Sequence, residues 1–192
     1  MASEKRYEAI VIGASAGGLH ALFFLLEQLP ESFSIPVIIV QHRMAEKHEL
    51  LEELLQSKTN KIVKQADEKE PIEKGIIYLA PPGYHLLIET DRTFSLTVDR
   101  PVSYSRPSID VMFETAAIAF RETLVGIILT GANRDGAAGL KRISDYGGFT
   151  IAQDPEEAQF PSMPRAAIAT NSVKMIGTLK EISFFLSKIP EA

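Results

Sequence analysis

The chain contains no cysteine. That absence excludes disulfides, thiolate zinc centres, iron–sulfur clusters and cysteine nucleophiles together. Any nucleophile must be Ser, Thr, Lys or a carboxylate. No uncharged apolar run approaches the ~18 residues that a membrane-spanning helix needs, so direct membrane insertion is not expected. The N-terminus lacks the pattern of a secretory signal, because Glu4, Lys5, Arg6 and Glu8 crowd the first apolar run. An excess of positive charge is missing too. Twenty Lys+Arg face 25 Asp+Glu, for a net charge of −5, which gives no reason to expect a nucleic-acid partner. The 4 histidines are scattered, with no His-x-x-x-His pair, and neither a metal site nor a cofactor is expected. Repeats and low-complexity tracts are absent as well. What remains is a chain of 192 residues, 45% hydrophobic and 23% charged, expected to be cytoplasmic. It reads as a single domain over 1–192, long enough to bury ~70% of its unfolded surface.

Short apolar, β-branched runs alternate with helical patterns. Strands are expected at Tyr7–Gly13, Pro36–Gln41, Lys61–Gln65, Ile76–Ala80, Val125–Thr130, Phe149–Gln153 and Val173–Ile176. Helices are expected at Leu19–Leu29 (stopped by Pro30), Ala45–Gln56, from Ser108 to about Glu122, at Gly136–Tyr146, at Ser162–Ala169, and from a Thr178–Glu181 capping box to Ile189. His85–Glu89 and Phe94–Val98, joined by a polar turn, read as a hairpin. Nearly all-apolar strands alternating with helices imply an α/β fold. It would be doubly wound, with a mostly parallel sheet covered by helices on both faces and an antiparallel hairpin near 85–98.

In an open parallel sheet, ligands bind outside the carboxyl ends of the strands. Three such ends carry Gly13-Ala14-Ser15-Ala16-Gly17-Gly18, then His42, then Gly131-Ala132-Asn133-Arg134-Asp135-Gly136. Ser15, His42 and Asp135 thus fall on one side of one sheet. A serine hydrolase needs that trio: a hydroxyl to attack, an imidazole to move the proton, and a carboxylate to orient the imidazole. Among the histidines, His20 and His48 fall within helix patterns, His85 opens the hairpin, and His42 alone follows a central strand. Asp135 has a second reading as the N-cap of the helix beginning at Gly136.

The loop at 13–18 also has two readings. As Gly-x-Ser-x-Gly between strand and helix it matches a nucleophile elbow, though the order Ser15, His42, Asp135 is not that of an α/β-hydrolase. As a glycine-rich loop it could cradle a phosphate. Against a dinucleotide stand Ser15 at the close-approach position and Gln41-His42-Arg43, rather than an acid, after the second strand. A Walker-type Gly-Lys-Ser/Thr is absent from it.

The ordered motifs IGASAGG (12–18), VQHR (40–43), LAPPGYHL (79–86), RPSIDVMF (106–113), ILTGANRDGAAGL (128–140), AQD (152–154) and FPSMPRAAI (160–168) resemble those of the chemotaxis protein-glutamate methylesterases, the CheB catalytic domain. The resemblance implies hydrolysis of γ-glutamyl methyl esters on the cytoplasmic helices of methylated chemoreceptors, releasing methanol, with deamidation of receptor glutamines. It implies Ser15 as nucleophile, His42 as base and Asp135 as acid. Where the family usually has a hydroxyl residue after the nucleophile, this chain has Ala16, and Gly131-Ala132-Asn133 replaces Gly-Met-Gly. The backbone N–H groups of Ala16 and Ala132 remain candidates for an oxyanion hole. Arg43, Arg134, Arg165 and His85, with Arg106, are candidates for contact with a Glu-rich substrate. No receiver domain is expected within residues 1–192. The chain is therefore expected to be constitutively open, controlled by a separate regulatory protein, or part of a longer polypeptide. The alternative is a diverged, non-catalytic or nucleotide-binding signalling module on the same fold.

Overall fold

The computed structural model describes residues 6–42 and 50–189. The strands are β1 (Ala9–Ala14), β2 (Val37–Gln41), β3 (Ile62–Gln65), β4 (Ile76–Leu79), β5 (His85–Ile88), β6 (Phe94–Thr97), β7 (Leu124–Ile128), β8 (Phe149–Gln153) and β9 (Met175–Gly177). The helices are α1 (Gly18–Glu27), α2 (Leu51–Gln56), α3 (Ile109–Phe120), α4 (Ala137–Asp145), α5 (Ser162–Ile168) and α6 (Leu179–Leu186). Seven strands form one sheet in the order β3-β4-β2-β1-β7-β8-β9, and β5 pairs with β6 apart from it. Every pairing in the large sheet is parallel, and β5–β6 is antiparallel.

All six residues of β1 are buried, as expected of a central strand covered on both faces. Its side chains alternate between two cores. Ile10, Ile12 and Ala14 face Leu22, Leu25 and Leu26 of α1, with Leu55 of α2 and Ile182 of α6 in the same cluster. Ala9 and Val11 face the other way, into a cluster containing Phe113, Leu140 and Met163 of α3, α4 and α5 and Leu86 and Phe94 of the hairpin. The sheet thus has α1, α2 and α6 on one face and α3, α4, α5 and the hairpin on the other.

From β1 the chain first builds the sheet outward through β2. It then returns to the opposite side of β1 as β7. The strand order therefore reverses beside β1, which opens a crevice at the carboxyl ends of β1, β2 and β7.

The elements match the sequence pattern, with differences at their ends that have physical causes. β7 stops at Ile128 rather than Thr130 because the Thr130 N–H leaves the ladder to donate to Gln153 Oε1 at 2.9 Å. Helix α3 ends at Phe120 rather than Glu122, since Arg121 has φ +52° and turns the chain into a 3₁₀ turn over Arg121–Thr123. The last strand, at Met175–Gly177, starts later than the apolar run at Val173 suggested. Of the helix expected at Ala45–Gln56, residues 45–49 lie outside the described residues, and its described part is Leu51–Gln56.

Candidate functional site

Ser15 follows β1 directly, and its loop is tied to both neighbouring strand ends. Its N–H donates to Thr130 O at 3.0 Å and its carbonyl accepts from Gln41 Nε2 at 2.8 Å. The same Gln41 amide donates to His42 O at 2.9 Å, so one side chain braces the serine loop and the histidine together. Thr130 Oγ1 donates to Ala16 O at 3.0 Å. The next residue must be glycine: Gly17 has φ +76°, and a Cβ there would lie 2.7 Å from Gln159 Oε1. Close packing and backbone geometry thus require this glycine, and the Gly18 N–H is already engaged by Ser15 O at 2.9 Å.

His42 lies at the end of β2, with its N–H donating to Ala14 O at 2.9 Å. Its Nε2 lies 2.8 Å from Asp135 Oδ2, and its side chain keeps 11% exposure. Asp135 is fully buried. Besides His42, three groups at the start of α3 converge on its carboxylate: Ser108 Oγ at 2.9 Å and Asp110 N at 3.0 Å on Oδ1, and Ile109 N at 2.7 Å on Oδ2. Asp135 therefore does not cap the helix that follows it; residue Gly136 (φ +95°) precedes α4 with no side-chain cap. The carboxylate instead sits at the N-terminus of α3, where free N–H groups and the helix dipole favour an anion. Burial works against the charge. The hydrogen bonds from His42, Asp110 and Ile109 outweigh it and hold Asp135 below the usual carboxylate range.

A second carboxyl lies beside this one. Burial is the largest influence on Asp110, and with the Asp135 charge it overcomes the hydrogen bond from Gly139 N (2.7 Å), pushing the pKa from 3.8 up to about 6. An acid whose folded pKa is raised holds its proton after the unfolded chain has lost it. Stability therefore falls as pH rises from the unfolded value to about 6 and is level above it. Asp110→Asn keeps the acceptor for Gly139 and removes this slope. Its stability relative to wild type should rise by about 1–2 kcal/mol across that window, the smaller figure allowing for solvent screening. Urea unfolding at a series of pH values measures it, and parallel curves would count against the buried Asp110–Asp135 repulsion.

Two recesses flank the His42–Asp135 pair. One, of about 160 Å³, is lined by His42, Tyr104, Ser105, Arg106 and Pro107. The other, of about 440 Å³, is lined by Ser103, Tyr104, Ala132, Asn133, Arg134 and Ser162. Tyr104 stands between them, fully exposed, on a tight turn in which Val102 and Ser105 exchange backbone hydrogen bonds of 3.1 and 2.8 Å. Among the described residues, the backbone N–H groups of Ala16 and Ala132 donate no hydrogen bond.

The sequence candidates separate clearly. Ser15, His42, Asp135, Ala132, Arg134 and Arg106 belong to this edge of the sheet. His85 does not face the crevice. It is 1% exposed, with Nε2 donating to Arg100 O at 3.1 Å and Nδ1 accepting from Ser108 N at 3.2 Å. Both ring nitrogens are occupied, and its role is to hold Ser108, whose hydroxyl in turn donates to Asp135. Arg165 is exposed and paired with Glu156 at 3.3 Å, and Arg43 lies outside the described residues. Residues that sequence reasoning passed over as site components are Gln41, Ser108, Asn133 and Tyr104. Ser108 left a signal as the cap of α3, and Asn133 as part of the departure from Gly-Met-Gly. Among the described residues no cluster of His, Asp and Glu is placed to hold a metal ion, and no helix is long and apolar enough to cross a membrane.

A doubly wound α/β sheet with a serine-bearing loop and a His–Asp pair at its carboxyl edge defines a class: open α/β proteins whose site lies outside the carboxyl ends of the strands. Comparison with known proteins narrows it, and the chain belongs to the CheB methylesterase family, whose model matches residues 10–186. A relative from Leptospira interrogans is 50% identical over 177 residues, covering 92% of each chain. The protein-glutamate methylesterase/protein-glutamine glutaminase of Clostridium acetobutylicum is 33% identical over 187 residues, 97% of this chain but only 54% of that protein. The crystal structure of the Thermotoga maritima CheB methylesterase catalytic domain superposes with a TM-score of 0.90 at 29% identity, covering 95% of this chain and 98% of that one.

Proposed function

We propose that this chain is a cytoplasmic serine esterase that hydrolyses γ-glutamyl methyl esters on methylated chemoreceptor helices and deamidates receptor glutamines. The observation that carries this reading is the 2.8 Å His42–Asp135 pair set beside the Ser15 loop. Asp135, an acceptor-only carboxylate, accepts the hydrogen bond donated by His42 Nε2–H, which keeps the proton on Nε2 and leaves the lone pair on Nδ1 as the base. Ser15 Oγ attacks the ester carbonyl while Nδ1 takes its proton. The developing oxyanion is met by the free N–H groups of Ala16 and Ala132, whose donors do not depend on side-chain identity. The tetrahedral intermediate collapses, and methoxide leaves as methanol with the proton from Nδ1. Water, deprotonated by Nδ1, then attacks the acyl-serine, and the Ser15 oxygen recovers the proton as glutamate is released. With a glutamine substrate the same steps expel ammonia.

Mass spectrometry of a methylated receptor fragment tests this directly. Incubation with the chain should remove one CH₂ mass unit per ester, and no change at any methylated position would end the reading.

Arg134 supports the choice of an acidic helical substrate, since it lines the larger recess and is exposed. Arg134→Glu should lower kcat/KM on a Glu-rich methylated helix by about three- to tenfold and flatten its dependence on ionic strength. Turnover of a small neutral ester should be unchanged. Equal salt dependence in both proteins would remove Arg134 from substrate binding.

A further inference from the structure

Asn133 follows Gly131-Ala132 in the loop that delivers Asp135, and its amide is held in one orientation. Asn133 Oδ1 accepts the Asp135 N–H at 3.0 Å. A backbone N–H can only donate, so the oxygen must face it and the NH₂ must point the other way. That NH₂ meets His42 Nδ1 at 3.4 Å. The imidazole proton is committed to Asp135 through Nε2 at 2.8 Å, which leaves Nδ1 with a lone pair. An amide hydrogen thus points at the nitrogen that must accept the Ser15 proton. Among the described residues no hydrogen bond joins Ser15 Oγ to His42. An imidazole lone pair accepts one good hydrogen bond, so the Asn133 amide and the Ser15 hydroxyl compete for it. At 3.4 Å the amide contact is longer than the usual 2.9–3.0 Å N–H donor distance, as suits a partner that gives way.

We propose that Asn133 is a positioning residue that caps the base nitrogen of His42 in the resting site and must be displaced before Ser15 can be activated. The proposal rests on the serine-esterase reading above and adds to it a built-in restraint on the nucleophile. Asp135 already sets the imidazole tautomer through Nε2, so the amide on Nδ1 adds occupancy and no further orientation. The restraint is local, because the loop that carries Asn133 also carries Asp135 and lines the recess of about 440 Å³ beside it. A substrate that enters this recess meets Asn133, whereas His42 lines the smaller recess.

The test compares wild type, Asn133→Ala and Ser15→Ala by the rate of covalent labelling with a fluorophosphonate probe and by ¹⁵N NMR of the His42 ring. In wild type, Nδ1 should be unprotonated, with its resonance moved upfield from that of a free imidazole nitrogen by the amide donor. In Asn133→Ala that resonance should move downfield, the Nε2–H proton held by Asp135 should remain, and labelling should be roughly two- to fivefold faster, as release from a neutral hydrogen bond of modest net strength predicts. Labelling that is unchanged or slower in Asn133→Ala, with the Nε2–H proton intact, would overturn the proposal. If that variant fails to fold, the Ser15→Ala spectrum still decides: an unprotonated Nδ1 that keeps its upfield shift without the serine hydroxyl upholds the proposal, and a protonated Nδ1, or one at the free position, overturns it. Failure of the parent reading looks different, because Ser15→Ala would then be labelled as fast as wild type.

Discussion

Ser15→Ala should remove almost all ester hydrolysis, lowering kcat by up to ~10⁶ as in other sites that work through a serine and a paired histidine. The side chain supplies the hydroxyl that the proposed mechanism acylates, and the chain has no cysteine to take over. KM should move little, because the recesses and arginines that would hold the substrate do not involve the Ser15 hydroxyl. A residual rate above that of water should persist, since the free N–H groups of Ala16 and Ala132 remain to meet an oxyanion. Folding should be unaffected to within about 0.5 kcal/mol, the hydroxyl having no hydrogen-bond partner among the described residues. Steady-state hydrolysis of a methylated receptor peptide, with a thermal melt alongside, checks both halves. A variant that folds and turns over at the wild-type rate would remove Ser15 from the chemistry.

The second large effect falls on activity and stability together. Asp135→Asn should lower kcat by roughly 10⁴ by losing the partner that orients and charges the imidazole. It should also destabilise the fold by about 2–5 kcal/mol. The reason is geometric. Oδ1 accepts Asp110 N and Ser108 Oγ, and Oδ2 accepts Ile109 N and His42 Nε2. Whichever way an asparagine amide is turned, its NH₂ meets a backbone N–H that has nowhere else to donate. Ser108→Ala separates the two effects, because it removes one donor and leaves the His42 contact in place. It should cost about 1 kcal/mol of stability and far less activity. Paired measurements of kcat and urea midpoint on both variants distinguish the roles. An Asp135→Asn protein as stable as wild type would mean that the buried carboxylate is not anchored to α3 as described.

How much of this was legible beforehand differs from residue to residue. Ser15, His42 and Asp135 could be chosen because each lies in the segment that leaves the end of an apolar strand, and parallel strands deliver their carboxyl ends to one edge. Their partners could not. Gln41 reaches Ser15 across 26 positions, Ser108 reaches Asp135 across 27, and Asn133 reaches His42 across 91. No local spacing encodes such pairings. His85 illustrates the same limit. Its place at the head of a hairpin strand was correct, with Thr97 as its register partner. Yet whether a strand's first side chain faces the crevice or the core depends on how the hairpin docks on α3, and here it faces inward. The second reading of Asp135, as the N-cap of the helix that follows it, does not hold: its carboxylate accepts the first N–H groups of α3 instead, where more donors converge.

The sequence by itself determined the class of fold, through all-apolar strands alternating with helices, and the chemistry open to the site, through the missing cysteines and a serine, a histidine and an aspartate at three strand ends. Tertiary structure decided which nitrogen of His42 is free. Asp135 could reach the ring from either side until the N-terminus of α3 anchored its carboxylate, and once it took Nε2, Nδ1 was left facing Asn133. Hydrophobic periodicity is a property of short segments and survives in the sequence. The direction of a hydrogen bond between residues 93 positions apart exists only once the chain has closed on itself.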